Sequence, residues 1–124
     1  MPSAWKIRSA VRPLAAIGAL CVALGGVAPG AQAASSRRCS PVVNPYAGTR
    51  YEGIDLRQIR AVRTACSTAR RVVLGAHRKA LGTTPPPSGV RRFRWDGWRV
   101  TGDLRGSADH YVATRGSRRV RWVF

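Results

Sequence analysis

Two short stretches of the chain alternate arginine with aromatic and apolar residues. They are Arg91-Arg92-Phe93-Arg94-Trp95 and Arg118-Arg119-Val120-Arg121-Trp122. Because successive side chains of a strand point to opposite faces of a sheet, the apolar residues can turn inward while the arginines between them face solvent. A guanidinium group offers paired donors to phosphate, sulfate or carboxylate. The candidate anion-binding residues are therefore Arg92, Arg94, Arg119 and Arg121.

The arginine content also has a simpler explanation. Lys79 is the only lysine in residues 34–124, and a GC-rich genome favours arginine codons. Under this alternative the two stretches form a solvated strand face without a ligand. Under either interpretation a strongly positive domain attracts anionic partners.

The sequence contains no recognisable catalytic or metal-binding motif. His77 and His110 lack an acidic residue at the spacing of a catalytic triad or a metal-ligand set. A glycosidase-type hydrolase would need two carboxylates that converge across a cleft, whereas the five acidic residues are scattered through turns and loops. These residues are Glu52, Asp55, Asp96, Asp103 and Asp109. We therefore expect no enzymatic activity, no cofactor and no metal.

One helix is indicated by apolar residues that recur at steps of three and four. These residues are Ile59, Val62, Cys66, Ala69, Val73, Ala76 and Ala80. Two starts of the helix are possible. It begins at Asp55, or a short extended segment at residues 58–62 leads into a helix whose N-cap is Thr64. Gly82 is expected to end it.

The residues after the helix are typical of strands. Residues 83–89 contain three consecutive prolines and predict a stiff connector. Asp96-Gly97 predicts a two-residue hairpin turn that sets Trp95 opposite Trp98 and Phe93 opposite Val100. A second hairpin is expected around residues 115–117, with its second strand at residues 118–124. The predicted fold class is α+β, with one helix packed on a small three- to four-stranded antiparallel sheet and the aromatic rings inside.

The first 33 residues have the pattern of a cleavable export signal. Basic residues precede an apolar run at residues 14–27, and Ala31-Gln32-Ala33 supplies small residues at a cleavage site. The run is shorter than the roughly 20 residues of a membrane-spanning helix. A lipoprotein anchor is disfavoured because Leu20 precedes Cys21 where a small residue is needed. We expect cleavage after Ala33 and a secreted product that does not span a membrane.

The expected product consists of an irregular lead-in at residues 34–53 and a single domain at residues 54–124. It carries 19 basic residues against five acidic ones, a net charge of +14. Its two cysteines, Cys39 and Cys66, predict a disulfide in an oxidising compartment. We expect this bond to pin the lead-in to the domain and the protein to be a monomer.

Three segments within roughly residues 54–124 carry short motifs. Residues 66–72 read Cys-x-x-Ala-x-x-Val, residues 97–100 read Gly-Trp-x-Val and residues 113–116 read Ala-x-x-Gly. They resemble the Cys-x-x-Ala-x-x-Val helix opening, the Gly-Trp-x-Cys strand and the closing Cys-x-x-Gly motif of a group of small secreted actinobacterial proteins of unknown function. The resemblance favours a helix that begins near Thr64. This chain has Val100 and Ala113 in place of those two cysteines, and the resemblance implies that they face each other in the core. It implies a secreted location but no activity.

Two functions follow as hypotheses. The first is a non-catalytic secreted domain that binds anionic polymers, such as nucleic acid or a cell-wall polymer, or anionic surfaces through its arginine-rich sheet face. The second is a secreted protein-binding module, such as a hydrolase inhibitor. It would present the connector at residues 85–89 or the loop at residues 102–109 to its partner.

Overall fold

The structure is a computed structural model that describes residues 34–124, so the predicted export signal at residues 1–33 lies outside the described residues. One helix and six strands follow one another along these described residues. They are β1 (Ser36–Arg38), β2 (Arg57–Val62), α1 (Cys66–Leu81), β3 (Val90–Trp95), β4 (Trp98–Asp103), β5 (His110–Arg115) and β6 (Arg118–Val123). Within this part of the chain, no helix combines the length and the apolar content needed to cross a membrane.

All six strands belong to one antiparallel sheet, in the order β1-β2-β6-β5-β4-β3. The predicted class of one helix with an antiparallel sheet is confirmed, but the expected number of three to four strands is wrong. The two additional strands are β1 and β2. The edge strand β1 has the sequence Ser-Arg-Arg and is exposed throughout, so it carries no apolar alternation that predicts a strand. In β2 the alternation is interrupted by a bulge between Arg57 and Arg60.

The helix begins at Cys66, so the interpretation with an extended segment before it is confirmed and a start at Asp55 is wrong. Thr64 is not the N-cap as predicted. The N-cap is Ala65, which makes no side-chain cap, and the Thr64 hydroxyl instead donates to the Val62 carbonyl at 3.0 Å. Gly82 follows the last helical residue, as expected.

The C-terminal end of α1 is contacted by a buried arginine of β3, Arg91. The Arg91 side chain is only 6% exposed. Its guanidinium donates to the carbonyl of Ala80 in the last helical turn and, at 3.1 Å, to the hydroxyl of Thr83. A cation at this end of a helix is stabilised by the helix dipole and binds carbonyls that have no partner within the helix. Arg91 therefore fastens the end of α1 to β3.

Both predicted hairpins are present. Asp96 and Gly97 have positive φ angles of 47° and 77°, which is the backbone of a type I′ turn. Trp95 pairs with Trp98, as the two-residue turn predicts, and Phe93 pairs with Val100. Strands β5 and β6 are joined through residues 116–117.

The core lies between α1 and one face of the sheet. Its largest fully buried side chains include Trp98, Trp122 and Tyr111. Val100 is paired with Ala113, and both are buried, so these two residues do face each other. Gly75 lets the helix approach the sheet closely, since a Cβ atom at this position would overlap the ring of Trp95.

The predicted disulfide joins Cys39 to Cys66 and ties the segment before β2 to the first residue of α1. Closing a loop with a sequence separation of 27 residues stabilises the folded state by about 3–4 kcal/mol in the chain-entropy description. The lead-in expected to be irregular contains strand β1. It is also held by reciprocal backbone hydrogen bonds between Val42 and Leu56, at 2.9 and 3.0 Å.

Candidate anion-binding surface

The sheet has one face packed against the core and one face exposed to solvent. Residues directly opposite each other on neighbouring strands point to the same side. Buried residues therefore mark the inner side, where Ala61, Val120 and Ala113 follow one another across β2, β6 and β5. The side chains at the alternate positions project from the other, outer face.

All four predicted anion-binding arginines are exposed on the outer face. Arg92 and Arg94 project from the edge strand β3, and Arg119 and Arg121 project from β6. Strands β4 and β5 lie between them, so the two pairs are separated by three strand spacings, or about 14 Å. The structure places the four residues on one surface, but as two pairs and not as one cluster.

Four further arginines project from the same face and were not predicted. Alternation around Arg60 and Arg99 is visible in the sequence and was sufficient to find them. Arg38 and Arg57 had no such signal, because β1 lacks apolar residues and β2 has a bulge before Arg60. We call the complete set the arginine face. It consists of Arg38, Arg57, Arg60, Arg92, Arg94, Arg99, Arg119 and Arg121.

The arginine face has no carboxylate partner among residues 34–124. The two ion pairs in this region involve other arginines: Arg71 with Asp96 at 3.4 Å and Arg105 with Asp103 at 2.9 Å. Hydrogen bonds from the side chain and the backbone of Arg105 hold the pKa of the Asp103 carboxyl well below its usual range. The Asp103 carboxylate is therefore already paired with Arg105. No other carboxylate among the described residues neutralises the charge of the arginine face.

Several of these arginines lie directly opposite one another on neighbouring strands. Arg60 pairs with Arg38 on one side and with Arg121 on the other, which makes a row of three across β1, β2 and β6. Arg94 pairs with Arg99 across β3 and β4. Like charges in these positions repel and destabilise a sheet. An anion bound between them would relieve that repulsion.

The aromatic rings lie on the inner side of the sheet, as predicted. Trp98 and Trp122 are 1% exposed, and Tyr111 stacks on Trp122 with a centroid distance of 5.1 Å. Phe93 and Trp95 are half-buried and pack against the same core. Among the described residues, the arginine face therefore has no Phe, Tyr or Trp ring on which a nucleic-acid base could stack, and its one ring is the exposed imidazole of His110 on β5.

The histidines occupy contrasting positions. His77 is fully buried, and its Nδ1 shares a 2.6 Å hydrogen bond with the hydroxyl of Tyr46. Burial, together with the positive charge of Arg91, lowers the pKa of His77 to about 4, so the imidazole is neutral at pH 7. His110 is exposed at the start of β5. Among residues 34–124, no three His, Cys, Asp or Glu side chains come together in a way that could hold a metal ion.

The two segments of the protein-binding hypothesis lie side by side. The Leu104 amide donates to the Gly89 carbonyl at 2.8 Å, and the Arg105 side chain lies against Gly89. Gly102 and Asp103 belong to β4, so the loop itself consists of residues 104–109. The connector and this loop together form one small structured corner beside β3 and β4.

Comparisons with models of known protein families, with curated proteins and with solved structures find no match to this chain. The chemistry of the arginine face is therefore the basis for the functional assignment.

Proposed function

We propose that this protein is an exported, non-catalytic domain that binds polyanions outside the cell through its arginine face. The observation that carries the proposal is that eight arginines share one exposed face of a sheet without a carboxylate partner among the described residues. The face is wide, since six strands span five spacings of about 4.8 Å, or about 24 Å in all. A linear polyanion that crosses the strands can contact several guanidinium groups at once.

Arginine suits this role because of its geometry and its charge. The guanidinium keeps its charge at any physiological pH and donates two parallel hydrogen bonds to a phosphate or sulfate group. The strands hold the backbones of these residues rigid, so binding orders only the side chains. Because the guanidinium groups bind phosphate or sulfate directly, the ligand is recognised by its charged groups.

Net charge alone predicts some binding, so the test needs a control of equal charge. In the first variant, four residues of the arginine face are changed to glutamine: Arg60, Arg92, Arg94 and Arg121. In the control, four exposed arginines outside this face are changed to glutamine: Arg37, Arg50, Arg70 and Arg78. The assay is fluorescence-anisotropy binding of a labelled duplex DNA at low salt, with the unmodified protein as reference.

We expect the first variant to bind at least about 100-fold more weakly than the control, since each lost phosphate contact weakens binding severalfold. Equal affinities of the two variants would contradict the proposal. They would show that the charge acts without a defined surface.

The second function, a protein-binding module, is supported by the contact between the connector at residues 85–89 and the loop at residues 104–109. Its signature differs from that of polyanion binding. Surface charges are largely screened at about 0.5 M salt. A complex with one discrete protein would favour this function if it survives that salt concentration and is lost when residues 104–109 are replaced.

A further inference from the structure

The bulge in β2 concentrates positive charge at one place on the arginine face. Arg57 is opposite Val123 and Arg60 is opposite Arg121, so two residues of β2 stand against the single residue between these partners. In a regular strand, positions 57 and 60 would point to opposite faces. The extra residue lets both arginines project outward while Ile59 remains fully buried.

Gln58 provides the backbone geometry of this bulge. Its φ angle is 54°, in the left-handed region that non-glycine residues seldom adopt. Bulges are found at strand edges and next to functional sites, where they redirect side chains. Here the redirected side chain is that of Arg57, which joins Arg38 and Arg60 on the outer face.

Three concavities of the surface meet at Arg60. One of about 400 Å³ is lined by Arg38, Arg57 and Arg60, together with Gln58. A second of about 170 Å³ is lined by Arg60, Arg119 and Arg121, together with Ser36 and Val62. A third of about 290 Å³ is lined by Arg60, Arg121 and Gln58 and, on β5, by His110 and Val112. Anionic groups seated in neighbouring concavities would share the guanidinium of Arg60 and be partly shielded from water, which strengthens each ion contact.

Arginines are less densely placed at the β3-β4 end of the arginine face. Arg92, Arg94 and Arg99 line a concavity of about 410 Å³ on β3 and β4. Three arginines line that region, whereas five line the concavities around Arg60: Arg38, Arg57, Arg119, Arg121 and Arg60 itself. An unbranched polyanion therefore finds its highest density of donors at the β1-β2-β6 end of the sheet.

From this arrangement we infer that the arginine face contains a primary anion subsite, centred on Arg60 with Arg38 and Arg121 beside it, that takes the oxyanion groups of a phosphate polymer. The inference rests on the proposed function and specifies where on the face the ligand is held most tightly. Because the described residues place no Phe, Tyr or Trp ring on this face, bases have no large ring to stack on and should not contribute to binding. A phosphate polymer without bases should therefore bind as tightly as single-stranded DNA of equal charge.

Two single variants compare the subsite with the other end of the face. Arg60→Gln and Arg92→Gln each remove one exposed, outward-pointing strand arginine. Within residues 34–124, the only hydrogen bond of the Arg60 side chain is a long one, 3.5 Å, to the Ser36 hydroxyl, so the fold should tolerate its loss. The probe is inorganic polyphosphate of defined length, measured by isothermal titration calorimetry at about 50 mM salt. Single-stranded DNA and heparin of matched charge serve as second and third probes.

We expect Arg60→Gln to weaken polyphosphate binding at least about tenfold and Arg92→Gln about threefold or less, given that one charged hydrogen-bonded contact is worth about tenfold or more. Arg60→Lys should recover only part of the affinity, because an ammonium group keeps the charge but not the paired donors. Equal losses for Arg60→Gln and Arg92→Gln would overturn the subsite while leaving the proposed function intact. Unchanged binding by the four-arginine variant described above would instead contradict the proposed function.

A double-mutant cycle gives an independent test. If Arg60 and Arg121 hold the same anionic group, the combined variant should lose less affinity than the product of the two single effects, whereas Arg60 and Arg92 should act independently. Independent effects for Arg60 and Arg121 would overturn the subsite. Tighter binding of single-stranded DNA than of polyphosphate would overturn the claim that bases do not contribute. A clear preference for heparin would show that the oxyanion is sulfate and not phosphate.

Discussion

Acid should destabilise this protein through one buried histidine. His77 is fully buried beside Tyr46, Tyr111 and Phe124, and its Nε2 has no hydrogen-bond partner among residues 34–124. Protonation would place a second N–H and a positive charge in this aromatic cluster. Burial, and then the nearby charge of Arg91, lowers the pKa of the folded state from the ordinary 6.5 to about 4.

The direction and size of the effect follow from proton linkage. Between pH 6.5 and about 4 the unfolded chain binds a proton at His77 that the folded protein does not bind, so the free energy of unfolding falls as the pH falls. The contribution of His77 is complete above pH 6.5 and is exhausted below about pH 4. A shift of this size corresponds to about 3 kcal/mol, a large part of the stability of about 5–15 kcal/mol that is typical of proteins.

The assay is urea unfolding followed by tryptophan fluorescence at pH values from 7.5 to 3.5. Asp109 opposes the effect. Burial raises the pKa of its carboxyl, so the folded protein takes up this proton more readily than the unfolded chain and gains stability as the pH falls. The control His77→Gln removes the titrating group and keeps a polar partner for Tyr46, so the difference between the two proteins isolates His77. We expect the unmodified protein to lose about 3 kcal/mol more than the variant between pH 6.5 and 4. Parallel pH profiles for the two proteins would refute the reasoning.

Three further predictions concern the packing that supports the arginine face. Replacing Cys39 and Cys66 together by alanine should lower the free energy of unfolding by about 3–4 kcal/mol; a change below about 1 kcal/mol in denaturant unfolding would show that the loop is restrained by other contacts. Gly75→Ala should destabilise by about 1–3 kcal/mol, because the added methyl group overlaps the Trp95 ring, whereas Gly82→Ala meets only ordinary contacts and serves as the control. A stabilising Gly75→Ala, as helix propensity alone predicts, would mean that Trp95 can move aside. Arg91→Gln should lower the melting temperature because the carbonyl of Ala80 in the last turn of α1 loses a charged donor worth about 1.5–3 kcal/mol. Arg99→Gln, on the exposed face, should leave the melting temperature nearly unchanged, and similar losses for both arginines would contradict the assigned role of Arg91.

Local patterns were sufficient to predict the helix, the two hairpins and the register of the first hairpin. Alternation fixed the inward direction of Trp98 and Trp122, and the Asp96-Gly97 turn fixed the pairing around it. The disulfide followed from the cysteine count and the expected compartment. These features depend on residues close together in the sequence or on one simple rule.

Most of the features missed were set by tertiary contacts, whereas Arg60 and Arg99 were missed although alternation in the sequence indicates them. Strand β1 exists because it pairs with β2 and is followed directly by the disulfide at Cys39, and its own sequence carries no apolar signal. The bulge at Gln58 redirects Arg57, which no periodicity predicts. Arg91 alternates in phase with Phe93 and Trp95, so its inward direction follows from the pattern, but its hydrogen bond to the end of α1 does not. The candidate site was therefore predicted only in part, as two pairs of arginines without Arg38, Arg57, Arg60 and Arg99.

The salt dependence of DNA binding tests most directly the claim that the arginine face holds phosphates. Each engaged phosphate contributes about −0.9 to the slope of log affinity against log salt, so engagement of all eight arginines predicts about −7 and engagement of four predicts about −3.6. The variant that lacks four arginines of the face should have a slope shallower than that of the unmodified protein by up to about 3.6. The charge-matched control, with four arginines changed elsewhere, should keep the original slope. Equal flattening in both variants would contradict the account.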